Sequence, residues 1–361
     1  MSGPRVTGSL IEGFDGIVCD LDGVIYRGHE GVPHAVESLL SALSAGVLVV
    51  YATNNASREP ATVAAHLEAL GLPGPGSRVV TSAQAGARYV AQRCPRGARV
   101  LAVGGPGVWL ALQEAGLLPV RAQPPSGQTT RSDEPLVAVL QGYGAQVSWT
   151  HLAEVAYAVQ SGALWVATNT DSTLPTERGV APGNGALVGA VRQAVGVDPV
   201  VVGKPHTPLY ELSVSVLGTS IDRTLAIGDR LDTDIMGATA AGMDSLFVFG
   251  GVHGWADVVG AQHNARPRYV ATDLRSLHVA YAEPVQDMSE PSRWVCGQAQ
   301  ARVSADGDLA VSQMGSLNER LRAALTALWH AGDAAGRPMD PRGGDGAALS
   351  CELDLAVAHR D

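Results

Sequence analysis

The sequence predicts an α/β protein: a parallel sheet flanked by helices, a second α/β domain inserted into it, and a small α+β extension at the C-terminus. Three observations predict this. Short apolar runs alternate with helix-length segments near the front of the chain and again late in it, a rhythm that builds parallel sheets. About 115 residues with their own strand and helix patterns separate the two runs, enough for an inserted domain. After Pro284 the alternation gives way to linker-like sequence, two short strands and a helix.

The elements follow in order. Residues 14–20 form a buried-type strand ending in acid, and 34–45 a helix. Residues 47–53 form the next strand and 59–70 the next helix. The rhythm returns with a strand at 200–203, a helix at 208–217, a strand at 224–228, a helix at 234–241 and a strand at 245–249. Residues 1–82 and 198–283 are therefore read as two halves of one domain, and 83–197 as the insertion. Within the insertion the expected strands are 99–103, 136–141 and 164–168, and the expected helices 107–115, 149–161 and 186–195. In 284–361 the pattern predicts strands at 293–297 and 299–303, a turn at Asp306-Gly307 and a helix at 318–330. The Gly-, Pro- and Asp-rich stretch 332–346 reads as loose.

Bulk properties exclude several classes. With 46% hydrophobic and 17% charged residues, the 361-residue chain is globular. A formal charge of −10 and the lack of basic runs argue against a nucleic-acid partner. The N-terminus has no apolar signal core, and the apolar run Val47–Ala52 is too short to span a membrane. The four cysteines share no close spacing, so no zinc or redox motif follows, and the expected setting is cytoplasmic.

Four segments carry candidate chemistry, each at a strand end, where open parallel sheets bind ligands. Asp20-Leu-Asp22-Gly23 offers one carboxylate to attack and another to shuttle a proton, though such a segment also reads as a turn. Thr53-Asn54-Asn55 offers a hydroxyl and backbone N–H groups to a phosphate, and is also ordinary turn chemistry. Lys204 is the only lysine among 25 basic residues. Lysine is a compact point charge, and arginine cannot replace it in a tight site. Asp229 and Asp234 add carboxylates at a fourth strand end. Acids gathered there would repel unless a cation sits among them, and hard oxygen ligands favour Mg²⁺. Asp232 reads as a helix-capping residue.

Together, in this order, the four segments resemble the motif set of the haloacid-dehalogenase (HAD) superfamily of phosphohydrolases. The chain is similar to the type IIA branch, with its large cap between the second and third motifs, over about residues 12–280. The resemblance implies a Rossmann-like core with a C2-type cap and a Mg²⁺-dependent phosphatase acting on a small phosphorylated metabolite. Glycerol 3-phosphate is the first expectation, ahead of phosphoglycolate and pyridoxal 5′-phosphate. By resemblance, Asp20 is the nucleophile that forms an aspartyl-phosphate and Asp22 the general acid/base. Asp20, Asp22, Asp229 and Asp234 hold the metal, and Gly23, Thr53, Asn54, Asn55 and Lys204 bind the phosphate. The cap segments around Thr168–Pro175 and Pro182–Gly185 make Asn169, Asp171 and Arg178 the substrate contacts, and cap pairing would give a homodimer. One departure is Phe249-Gly250-Gly251-Val252, where the branch carries Thr before Gly-Val; this is expected to loosen that loop. A phosphotransferase or mutase would use the same motifs. A dinucleotide oxidoreductase is disfavoured, because no GxGxxG follows a strand with an acid downstream.

Overall fold

The structure, a computed structural model, describes residues 8–72, 74, 78–122, 134–176 and 178–358. The chain divides into two compact units, Met1–Val49 with Leu217–Asp361, and Val50–Val216.

In the first unit, strands Gly16–Cys19, Thr224–Gly228, Asp244–Val248 and Tyr269–Ala271 pair side by side in parallel. Every residue of the first two strands is buried. A strand covered on both faces reads as an unbroken apolar run rather than an alternating one, which is why both were visible in the sequence. Their register, Gly16 against Thr224 through Cys19 against Ile227, brings both carboxyl ends to the same level.

The C-terminal segment belongs to this unit. Strands Val285–Gln286, Arg293–Cys296, Ala299–Val303 and Leu309–Val311 make an antiparallel meander. Ala299–Val303 alternates buried and exposed residues, as expected of a sheet with one covered face. The cover is the helix Leu317–Ala335, opened by a capping box between Ser316 and Glu319. Leu321, Leu325 and Leu328 of this helix share one apolar cluster with Phe247 and Val270 of the parallel sheet and with Phe249 just past it. The extension is thus welded to the sheet by a common core. The stretch expected to be loose is held instead. The helix runs through Ala335, Met339 is buried, and the Pro341 carbonyl accepts from Trp255 Nε1 at 2.8 Å. The Asp345 N–H donates to the Leu309 carbonyl at 2.7 Å, and a further helix, Gly346–Ala358, follows. Polar backbone that pairs in this way does not need regular periodicity to be ordered.

The second unit carries a parallel sheet ordered Val200–Val201, Leu164–Ala167, Ala138–Gln141, Arg99–Val103, Leu118–Val120. Helices Pro106–Glu114, Trp149–Gln160 and Asn184–Val195 fall where the sequence put them, within a residue or two. Val200 pairs with Val166, so the strand leading to Lys204 is an edge of this sheet. The hairpin Thr173–Thr176 with Gly179–Pro182 was not anticipated; its residues are mostly exposed and include prolines, so no apolar alternation marks it. Strand Val79–Thr81 pairs in parallel with the end of Leu48–Thr53, Thr53 against Thr81.

The cysteines give a simple test. Cys351 is exposed, whereas Cys19 and Cys296 are buried, and burial pushes the Cys296 thiol up to about 11. Thiolate is the reactive form. At pH 8, iodoacetamide is therefore expected to label Cys351 and spare Cys296 until the protein is denatured. Peptide mass spectrometry reads this, and equal labelling of the two in native protein would contradict the fold of the C-terminal segment.

Candidate active site

In the first unit the carboxyl ends of the two central strands gather acid. The Asp20 N–H donates to the Ile227 carbonyl at 2.9 Å, continuing the ladder one step past the strand. Asp229 follows Gly228 at the end of the neighbouring strand. The chain then winds into a π-type turn, Leu231–Ile235, before the helix Met236–Ala241. This turn, which periodicity does not reveal, returns Asp234 toward the strand ends. One carboxylate oxygen from each of Asp20, Asp229 and Asp234 lies within 4.8 Å of the others. Asp229 and Asp234 are buried and Asp20 is half-buried.

Backbone donors fix these side chains. Asp229 Oδ2 accepts from the Val252 N–H at 2.6 Å, and Asp234 Oδ2 accepts from the Arg230 N–H at 3.1 Å. Three glycines make the space. A Cβ on Gly251 would sit 1.7 Å from Asp229 Oδ2, one on Gly23 at 2.5 Å from the same atom, and one on Gly228 at 2.2 Å from Asp234 Cβ. Gly250, where the branch carries Thr, has φ +115, a conformation strained for Thr. The Val252 bond ties this loop to Asp229.

Asp22 is exposed beside Gly23, which turns the chain at φ +88. Asp232, read from sequence as a cap, pairs with Arg230 instead, at 3.1 and 2.9 Å. Burial raises its carboxyl, but the Arg230 guanidinium and the nearby His253 outweigh this and hold it below the ordinary carboxylate range. His253 was not singled out in the sequence; its Nδ1 accepts from the Leu231 N–H at 2.8 Å and so braces the turn that carries Asp234. No motif marked it, since the pair is 22 residues apart.

The acid trio suits a hard divalent cation. All three donors are carboxylate oxygens, and two are buried, where like charges are costly without a counter-ion. An octahedral ion with bonds of ~2.1 Å holds its oxygens about 3.0 to 4.2 Å apart, inside the 4.8 Å limit within which these groups lie.

In the second unit a separate network centres on Asn54. Its Oδ1 accepts from the Lys204 N–H at 2.8 Å, and its Nδ2 donates to the Lys204 carbonyl at 3.1 Å and to Asp171 Oδ2 at 3.4 Å. The Asn54 carbonyl accepts from Ser82 Oγ at 2.7 Å and Asn169 Nδ2 at 2.8 Å. Asn184 Nδ2 supports Asn169 by donating to its carbonyl at 2.7 Å. Gly203 lacks room for a Cβ, which would fall 2.3 Å from the Thr168 carbonyl and 2.6 Å from Asn54 Oδ1. Thr53 and Lys204 are buried, and burial keeps the nearby His206 imidazole below its ordinary pKa.

The structure thus joins Asn54, Asn169, Asp171 and Lys204 in one bonded group. Asn55 turns its side chain to Ser57, accepting at 3.0 and 2.7 Å, and its N–H donates to Thr53 Oγ1 at 3.0 Å. Arg178 lies exposed at the turn of the hairpin 173–182. Ser82 and Asn184 were not named from sequence. The glycines beside Asn184 are the missed signal, since a Cβ on Gly183 or Gly185 would sit 2.2 Å from the carbonyl of Asp171 or Thr170.

Comparison with known proteins bears on the family of the chain. The family model for haloacid dehalogenase-like hydrolases matches residues 17–118, and a second HAD-hydrolase-like model matches 201–277. The chain is 40% identical over 344 residues to the D-glycerol 3-phosphate phosphatase of Mycobacterium tuberculosis, covering 93% of this chain and 92% of that protein. It is 36% identical to a 5′-nucleotidase of Bacillus subtilis over 66% of this chain and 88% of that one. Its fold matches the crystal structure of the M. tuberculosis glycerol phosphate phosphatase in complex with magnesium, with TM-score 0.79, 38% identity, and 97% and 100% of the two chains covered. A p-nitrophenyl phosphatase from Archaeoglobus fulgidus matches with TM-score 0.65 and 26% identity over 73% of this chain and 98% of the other. By its carboxylate-tipped parallel strands and by these matches, the chain belongs to the haloacid dehalogenase-like hydrolase family.

Proposed function

We propose that this protein is a Mg²⁺-dependent phosphatase that hydrolyses small phosphate monoesters through an aspartyl-phosphate on Asp20, with glycerol 3-phosphate its leading substrate. The convergence of Asp20, Asp229 and Asp234 carries the reading. Asp20 Oδ attacks phosphorus, the P–O bond to the alcohol breaks, and Asp22 gives the leaving oxygen its proton. Asp22 then takes a proton from water, which attacks the acyl phosphate and frees Asp20. Asp20, Asp22, Asp229 and Asp234 would hold Mg²⁺, which when bound supplies charge neutralisation for the phosphoryl oxygens. Gly23, Thr53, Asn54, Asn55 and Lys204 are assigned to phosphate binding, and Asn169, Asp171 and Arg178 to the rest of the substrate.

Support for glycerol 3-phosphate comes from the M. tuberculosis relative, whose match reaches into the C-terminal segment. On this reading residues 83–197 act as a cap, and residues 284–361 stabilise the sheet.

The test is phosphate release from glycerol 3-phosphate, 2-phosphoglycolate, pyridoxal 5′-phosphate, a 5′-nucleotide and a hexose phosphate, each with Mg²⁺ or EDTA. Metal-dependent release, fastest from glycerol 3-phosphate and at least about 10²-fold lower with EDTA, is expected. Release from none of the esters would sink the proposal, and preference for another would reassign the substrate.

A further inference from the structure

A second feature of the first unit has no part in this chemistry. A cavity of about 600 Å³ opens between the parallel sheet's edge and the helix Leu317–Ala335. That volume lies within the ~300–1,000 Å³ typical of small-molecule sites. Three arginines line it: Arg266, Arg268 and Arg322.

Two of these have their charge answered. Arg266 grips Asp333 through both Nη atoms at 2.7 Å, and Arg268 grips Glu283 at 2.9 and 2.7 Å. Arg322 differs. It is only 5% exposed, its Nε donates to the Val270 carbonyl at 2.9 Å, and its guanidinium lies 3.7 Å from the centroid of the Tyr281 ring. Among the described residues it has no carboxylate partner. Burial raises the Tyr281 phenol, so the ring beneath it stays neutral.

A buried guanidinium facing a ring and one carbonyl keeps its full charge and spare donors. Its planar fork matches a carboxylate or phosphate group in a bidentate grip. Met243, Leu325 and Trp329 give the same cavity an apolar wall. Asp244 and Glu283 also line it; Glu283 is engaged by Arg268, which leaves Arg322 and Asp244 as the lining charges without an ion pair among the described residues.

We propose that this cavity binds a small organic anion, its carboxylate or phosphate group held by Arg322 and its apolar part against Trp329. The site is distinct from the Asp20, Asp229 and Asp234 cluster. It gives the C-terminal segment a ligand of its own.

Calorimetric titration of the full chain at low ionic strength tests this, with malonate as the carboxylate probe and inorganic phosphate as the phosphate probe. Trp329 fluorescence provides a second readout. Saturable binding to wild type is expected, preserved in Asp20→Asn and weakened at least tenfold in Arg322→Met. Only the component lost in Arg322→Met is assigned to the cavity, because phosphate can also occupy the catalytic site. A malonate-only response names a carboxylate ligand, and a phosphate-only response a phosphorylated one. If Arg322→Met fails to fold, Thr326→Trp fills the cavity from the same helix with Arg322 intact and should cause the same loss. Failure of wild type to bind either probe, or binding unchanged in the folded variants, overturns the proposal.

Discussion

Asp20→Asn is expected to lower kcat by at least about 10⁴-fold, the scale seen when a covalent nucleophile is lost. The amide has nearly the shape of the carboxylate but cannot form the acyl phosphate. The Asp20 backbone is locked by its bond to Ile227, and that bond survives the change. Asp20 also shares its locality with two buried carboxylates, so removing one negative charge relieves repulsion. The metal-free variant should therefore melt at the wild-type temperature or slightly above it. Activity lost while the melting temperature holds marks a chemical role for Asp20, whereas parallel loss of both would mean a structural one. Clear multiple turnover by the variant would refute the nucleophile assignment.

Lys204→Arg is expected to cost about 10²-fold or more in kcat despite keeping the charge, comparable to losing one well-placed electrostatic group. Lys204 is 5% exposed. Its backbone N–H and carbonyl both bond to the Asn54 side chain, so these contacts fix where the Lys204 side chain starts whatever that side chain is. Gly203 just before it has no spare volume, and the segment cannot back away. A guanidinium is larger and planar, and forcing it into a packed site costs about 1–3 kcal/mol. Steady-state kinetics with a parallel melting curve separate the two effects. Near-normal kcat in the arginine variant would mean that the single lysine of this chain is an accident of composition.

How much of this was legible in the sequence depended on the length scale of each signal. Strand ends carrying Asp20 and Asp229 were readable because their strands are buried on both faces and so spell apolar runs punctuated by acid. Lys204 stood out by rarity alone. The bonds that organise the second unit were not readable. Asn54 meets Asn169, Asp171 and Lys204 across separations of 115, 117 and 150 residues, and no local pattern encodes such pairs. The π-type turn at Leu231–Ile235 hides because one widened turn breaks helical spacing without changing residue types. Helix Gly346–Ala358 was missed because the Gly- and Pro-rich stretch before it carries the signs of disorder, and only its partners, such as the Leu309 carbonyl and Trp255, hold that stretch in place.

The three glycines packed against the buried acids carry a consequence for sequence drift. Gly23, Gly228 and Gly251 carry no side chain, yet each is closed even to alanine unless a carboxylate moves. A library of random substitutions selected for activity should therefore empty these positions as thoroughly as the acids themselves. Exposed glycines such as Gly28 and Gly162, where an added methyl meets nothing within 4 Å, should suffer only the strain of their positive φ. In this protein an allowance for variation as narrow as that of the acids falls on residues that must leave volume unfilled.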